Sequence, residues 1–264
     1  MAIFAQPMTL VPLPALSDNY IWLLADAAGD ALVVDPGEAA PVRSALEREG
    51  MRLRAILLTH HHPDHIGAAA ELADATGATI HAPVDERIER ADFRVGDGDR
   101  VELHAPACAF EVLAIPGHTS SHIAFYGGDG RQELLFCGDT LFSVGCGRMF
   151  EGTPAQMLAS LDRLAALPGA TQVCCGHEYT LTNCAFARTL DPHNDALAAR
   201  SAEVAALRER GAVTLPSSLA DERACNPFLR IDSPALVAAL GGSDRVQRFA
   251  ELRRRKDNFR TPAR

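Results

Sequence analysis

The stretch Thr59-His60-His61-His62-Pro63-Asp64-His65 sets four histidines and an aspartate between an apolar run at 55–58 and an alanine-rich one. Imidazole nitrogens and a carboxylate form a ligand set that suits zinc, iron or manganese better than calcium. One ion rarely takes so many adjacent ligands, and extended backbone sends alternate side chains to the same side. His60 and His62 are therefore expected to share one ion while Asp64 and His65 reach toward another. Further ligands have to come from elsewhere, and three loops offer them: His118 in Pro-Gly-His-Thr, Asp139 in Cys-Gly-Asp-Thr and His177 in Cys-Gly-His-Glu. Each follows an apolar run and a glycine that lets the backbone turn tightly. A lone histidine after a strand is more often structural than a ligand. Four strand-end loops with the same chemistry carry much more weight.

The elements that would position these loops come from periodicity. Short β-rich runs at 21–25, 31–35, 54–59, 110–116, 134–138 and 171–175 alternate with turns and a few helical stretches. Residues 55–58 read as a buried strand, 59–65 as the loop at its C-terminal end, where α/β sheets bind ligands, and Ile66 onward as a helix. Beyond Tyr179 the pattern turns helical, with an asparagine cap at Asn194 and a glycine stop at Gly211. The expectation is an α/β domain over 1–176 and a smaller helical domain over 177–264.

Composition bounds the function classes. The chain has 264 residues, 47% hydrophobic and 22% charged, ordinary values for a globular protein. Residues 1–16 show neither a basic leader nor a long apolar run, so no membrane span is expected and the default location is the cytoplasm. Seven cysteines, an odd number without C-x-x-C spacing, read as buried small hydrophobes rather than a disulfide framework. The net charge is −9, yet residues 243–264 hold eight Lys/Arg against three Asp/Glu. An acidic body repels nucleic acid, while a basic tail can hold a small anion.

The motif matches T-H-x-H-x-D-H, and on it the chain resembles the metallo-β-lactamase superfamily. Within that superfamily it is similar to the hydroxyacylglutathione hydrolases (glyoxalase II). The segments that carry this are LSDNYIWLL (16–24), THHHPDHIGA (59–68), PGHTSSHIAFY (116–126), FCGDTLFSVGCGRMFEGT (136–153), CGHEYTLTN (175–183), CNPFLR (225–230) and RRRKDNF (253–259). The resemblance implies an αββα sandwich with a binuclear metal edge, followed by a helical domain over the substrate. It assigns His60, His62 and His118 to one divalent ion, Asp64, His65 and His177 to the other, and Asp139 to the bridge. Zinc is the first expectation for the ions, with iron or manganese as alternatives. Asp64 and Asp139 become the catalytic carboxylates, Asp64 also orienting the nucleophile. His61 is expected to face away at the surface, and His81, His104, His122 and His193 to be structural or solvent-exposed, with His122 nearest to a supporting role behind the His118 loop.

The implied substrate is a glutathione thioester, hydrolysed to glutathione and a 2-hydroxy acid. Its binding residues carry over as Arg148, Phe150, Tyr179, Arg253 and Lys256. Phe150 stands where some members have tyrosine, which removes a hydroxyl. Lys256 is the only lysine among 25 basic residues, and a compact ammonium serves where a planar guanidinium would not fit. Arg254 and Arg255 read as solvated. The protein is expected to act as a monomer, without nucleic-acid or membrane partners. The rival readings are a mononuclear iron persulfide dioxygenase on the same fold, a phosphodiesterase or nuclease, and a metal-dependent binding protein without turnover.

Overall fold

The computed structural model describes residues 8–260, so the first seven residues and the last four, with Arg264 of the basic tail, lie outside the described residues. The chain forms two compact units: one runs to Ala114 and takes in Ser121–Gly138, and the other comprises Ile115–Ser120 and Asp139 onward.

The first unit begins with a six-stranded sheet in sequence order: β1 (Thr9–Ala15), β2 (Asn19–Ala25), β3 (Asp30–Val34), β4 (Arg52–Leu57), β5 (Thr79–Pro83) and β6 (Phe93–Val95). The pairs from β3 to β6 are parallel. Parallel neighbours need crossovers, supplied here by α1 (Ala39–Glu49) before β4, and by α2 (Pro63–Ile66) and α3 (Ala69–Thr76) before β5. Every residue of β2 and β3 is buried, as required of strands covered on both faces. Ile21, Leu23, Ala31 and Val33 pack with Val42 of α1 and Leu72 of α3 on one face. Four antiparallel strands complete the unit: β7 (Arg100–His104), β8 (Ala107–Ala114), β9 (Ile123–Gly128) and β10 (Leu134–Gly138).

The expected strands are present, with ends moved by a few residues. One boundary shift matters. The helix after β4 starts at Pro63 rather than Ile66, because proline, lacking an N–H, suits the first helical position. Asp64 and His65 thus stand on a helical turn and not in an extended loop.

The second unit contains the hairpin β11 (Leu141–Phe142) and β12 (Gly145–Cys146), α4 (Pro154–Ala165), the antiparallel pair β13 (Gln172–Cys175) and β14 (Ser217–Ser218), and the helices α5 (Thr180–Leu190), α6 (Asp195–Glu209), α7 (Leu219–Cys225), α8 (Pro234–Leu240) and α9 (Arg245–Asn258). Thr153 and Gln156 form a reciprocal capping box at the start of α4. Helix α6 starts at the expected Asn194 cap, and Gly211 takes φ +68° just past its end. All seven cysteines are buried and free.

Asn194 accepts from Leu197 N–H at 3.0 Å and also donates to Ala224 O at 3.1 Å, tying α6 to the end of α7. Asn194→Ala should lower stability by about 1–2 kcal/mol. Urea unfolding would check it, and an unchanged midpoint would show that the cap contributes nothing.

Candidate functional site

In the first unit the parallel pairing of β3 and β4 brings two strand ends side by side. Asp35, directly after β3, bonds through its N–H to Leu57 O at 3.0 Å, and its carboxylate receives Thr59 N–H at 2.8 Å and the Thr59 hydroxyl at 2.7 Å. The same oxygen, Oδ2, lies 3.0 Å from His65 Nδ1. A carboxylate only accepts, so His65 carries its proton on Nδ1 and leaves the Nε2 lone pair available. Thr59 Oγ1 gives its hydrogen to Asp35 and therefore accepts from His60 Nδ1, 3.0 Å away, which leaves His60 Nε2 with its lone pair as well. His60 Nε2 and His62 Nδ1 stand 3.1 Å apart. The donor atoms of Asp35, His60 and His65 all lie within 4.8 Å of one another.

Asp64 is held from β2. Asn19 Nδ2 donates to Asp64 Oδ2 at 2.9 Å and to its backbone oxygen at 3.3 Å, leaving that carboxylate 3.4 Å from His65 Nε2. Gly138 closes this corner. At φ +46° a Cβ there would sit 2.3 Å from Thr59 Oγ1 and 2.9 Å from the His122 ring, so only glycine fits.

The remaining histidines divide by packing. His122 is buried and stacks on His60 with ring centres 4.5 Å apart, its Nδ1 donating to Ile123 O, which makes it a support for His60. His81 is buried against Phe93, and His104 and His193 are exposed. His61 departs from expectation. Its side chain is 12% exposed and lies 3.5 Å from Asp85, whose carboxyl is held well below its usual range by Arg87. The 85–88 turn covers it.

The second unit gathers His118, Asp139 and His177, all buried. Asp139 Oδ2 lies 3.4 Å from His118 Nε2 and 3.2 Å from His177 Nε2. His118 Nδ1 donates to Arg148 O at 2.7 Å, which fixes its tautomer as Asp35 fixes that of His65. His118 O in turn accepts Phe150 N–H at 3.1 Å, and the exposed Phe150 ring meets His118 edge-on at 5.3 Å. Tyr179 stacks on His177 at 4.8 Å.

The expected substrate contacts fare differently. Arg148 is exposed and 3.4 Å from Asp257. Lys256 is half-buried, within 5.5 Å of the Phe186 ring, and burial next to Arg253 pulls its pKa down to about 8. Arg253, by contrast, is only 4% exposed. It donates to Cys146 O at 2.7 Å and Asp257 at 2.9 Å, and stacks over Phe228. It braces β12 from within and presents no open donor fork. Arg255 is likewise drawn in, to Glu251 and to Ala239 O of α8. Asp35 and Asn19 went unassigned in the sequence reading. Asp35 fits the same pattern of a polar residue after an apolar strand, in Val-Val-Asp-Pro-Gly.

Residues 16–177 match the model of the metallo-β-lactamase superfamily, and residues 178–259 match that of the hydroxyacylglutathione hydrolase C-terminus. The chain is 53% identical over 260 residues to the hydroxyacylglutathione hydrolase of Xanthomonas axonopodis pv. citri, covering 96% of this chain and 100% of that protein. Among solved structures it resembles ETHE1 from Myxococcus xanthus, at 26% identity and a TM-score of 0.64, over 97% of this chain and 92% of that one. It also resembles a di-iron-bound form of TTHA1623, at 31% identity and a TM-score of 0.51, over 65% and 91%. A metallo-β-lactamase α/β domain followed by this particular helical C-terminus assigns the chain to the hydroxyacylglutathione hydrolase family of that superfamily.

Proposed function

We propose that the protein hydrolyses S-(2-hydroxyacyl)glutathione thioesters, typified by S-lactoylglutathione, to glutathione and a 2-hydroxy acid, as the name of its Xanthomonas relative implies. Two divalent ions would be held by His60, His62 and His118 on one side, by Asp64, His65 and His177 on the other, and by Asp139 between them. The observation that carries this is the setting of tautomers. His60, His65 and His118 each engage Nδ1 with an acceptor and so keep Nε2 as a lone-pair donor, the form a metal ligand needs. When bound, two such ions acidify water and polarise a carbonyl. Zinc suits the donor set, and the di-iron form of TTHA1623 makes iron the main alternative.

Asp64, steadied by Asn19, orients the attacking water. The oxygen of that water bonds to the thioester carbon as one of its protons passes to solvent, the C–S bond breaks, and glutathione leaves as a thiolate that takes up a proton from solvent. A thiol pKa of about 8.5 makes that departure feasible without a strong general acid, in keeping with a site whose polar residues are nearly all ligands. Lys256 and Arg148 take the glutathione carboxylates, Arg253 adds its charge from behind β12, and Phe150 and Tyr179 flank the thioester. The C-terminal match at 178–259 favours this reading over a dioxygenase. Among the described residues no helix is long and apolar enough to cross a membrane, and a cytoplasmic monomer is the proposed state.

Hydrolysis of S-lactoylglutathione, followed together with metal content in one sample, tests the proposal. Full metal without turnover would favour the binding-protein reading, and oxygen uptake the dioxygenase. Asp139→Ala should lower both metal occupancy and kcat, the latter on the order of 10²-fold. Full occupancy with normal turnover would refute the bridge.

Lys256 gives a pH signature. Its ammonium, set among Arg253, Arg148 and Asp257, is charged below about pH 8 and neutral above it. A carboxylate contact is therefore present at low pH and lost as pH rises, and kcat/KM for glutathione thioesters should fall through about pH 8. Lys256→Ala should abolish that limb and lower kcat/KM at pH 7 by roughly 10- to 150-fold, mostly through KM. A limb of the same size in the alanine variant would assign it to another group.

A further inference from the structure

Asp139 stands two residues before the β11–β12 hairpin and Arg148 two residues after it. The turn of that hairpin is gripped by a polar cluster that the hydrolysis does not use. Glu222 on α7 is fully buried, and its Oε2 accepts Val144 N–H at 2.7 Å and Asn226 Nδ2 at 3.0 Å. Asn226 Nδ2 also donates to Phe142 O at 3.1 Å and Gly145 O at 3.0 Å, while Asn183 Nδ2 donates to Ser143 O at 3.0 Å. Val144 itself has φ +57°, a strained conformation for a β-branched residue that persists only where its surroundings fix it. A buried carboxylate is expensive in its own right, and burial pushes the Glu222 carboxyl up toward its neutral form. A strained residue and a buried acid bonded to each other mark a point where position matters.

The hairpin passes that position on. Gly147 N–H bonds to Thr140 O at 3.1 Å, and the strands are packed so closely that a Cβ on Gly147 would lie 1.8 Å from Asp139 O and 3.3 Å from His118 Nδ1. The next carbonyl, that of Arg148, receives the His118 proton. A shift of the turn therefore moves Asp139 and His118 together.

We propose that Glu222, assisted by Asn226, is a positioning residue for the ligand pair His118 and Asp139. By accepting the Val144 amide it locks the hairpin, and through the hairpin it aims His118 Nε2 and Asp139 Oδ2. This rests on the reading that both residues hold metal. Glu222 touches neither ion nor substrate and acts as a hydrogen-bond acceptor rather than as a charge, so an amide in its place is sufficient.

The test measures zinc affinity of the metal-stripped protein with a competing chromogenic chelator, the visible absorption of the cobalt-loaded protein, and steady-state kinetics on S-lactoylglutathione. Glu222→Gln keeps the acceptor oxygen and should match the wild type in all three. Glu222→Ala should weaken binding of one ion by about 10- to 100-fold, alter the cobalt spectrum and lower kcat more than KM. If the alanine variant does not fold, Asn226→Ala, which removes the grips on Phe142 O and Gly145 O, should show the same three changes. Unaltered zinc affinity and cobalt spectrum in the folded variant would overturn the inference, as would a glutamine variant as impaired as the alanine one. Altered metal binding in a protein whose wild type does not hydrolyse the thioester would instead refute the proposed function and uphold the role of Glu222.

Discussion

The hydrogen bond from the Thr59 hydroxyl to Asp35 governs the histidine cluster of the first unit. It decides which way the threonine oxygen faces, and so which nitrogen of His60 is protonated, while the same carboxylate oxygen decides the matter for His65. One acid thereby sets two imidazoles, and it can do so because β3 and β4 run parallel and end at the same edge. Burial makes such a network strong when complete and unforgiving when broken, since each orphaned group would keep its desolvation penalty.

The second unit solves the same problem with backbone. A peptide carbonyl, Arg148 O, takes the place of the carboxylate behind His118, so the ring is only as well placed as the segment that supplies the carbonyl. That segment is braced at Cys146 O by Arg253 and at its turn by Glu222 and Asn226. The C-terminal helices thus help to place the His118 ring. Asp257 pairs with Arg253 inside and Arg148 outside.

The loops at 118, 139 and 177 were legible because each combined an apolar run, a glycine and a side chain of a type that can bind metal, and the fold class followed from the alternation of elements. Asp35 escaped because it was counted as the last residue of its strand. Glu222 escaped for another reason, and Arg253 was expected as a substrate contact without its place in the packing. A charged residue on a helix reads as open to solvent or ligand, and only tertiary packing places Arg253 under the β12 carbonyl or buries Glu222 in a segment as polar as Ala-Asp-Glu-Arg. His61 was misplaced in the same way, since the turn that covers it comes from 85–88.

Pro63 has a consequence for how the motif tolerates change in length. His62 is still extended, at φ −62° and ψ 141°, and Pro63 opens α2, so the backbone period switches between the second histidine and the aspartate. Before that point an inserted residue would flip a histidine to the opposite side of the chain. After it, an insertion would rotate the side chains that follow by about 100° around the helix. Neither error can be absorbed by adjusting a rotamer. The spacing H-x-H-P-D-H is therefore a fixed ruler laid across the junction of two geometries, and a change in its length is felt more than a change of residue between its marks.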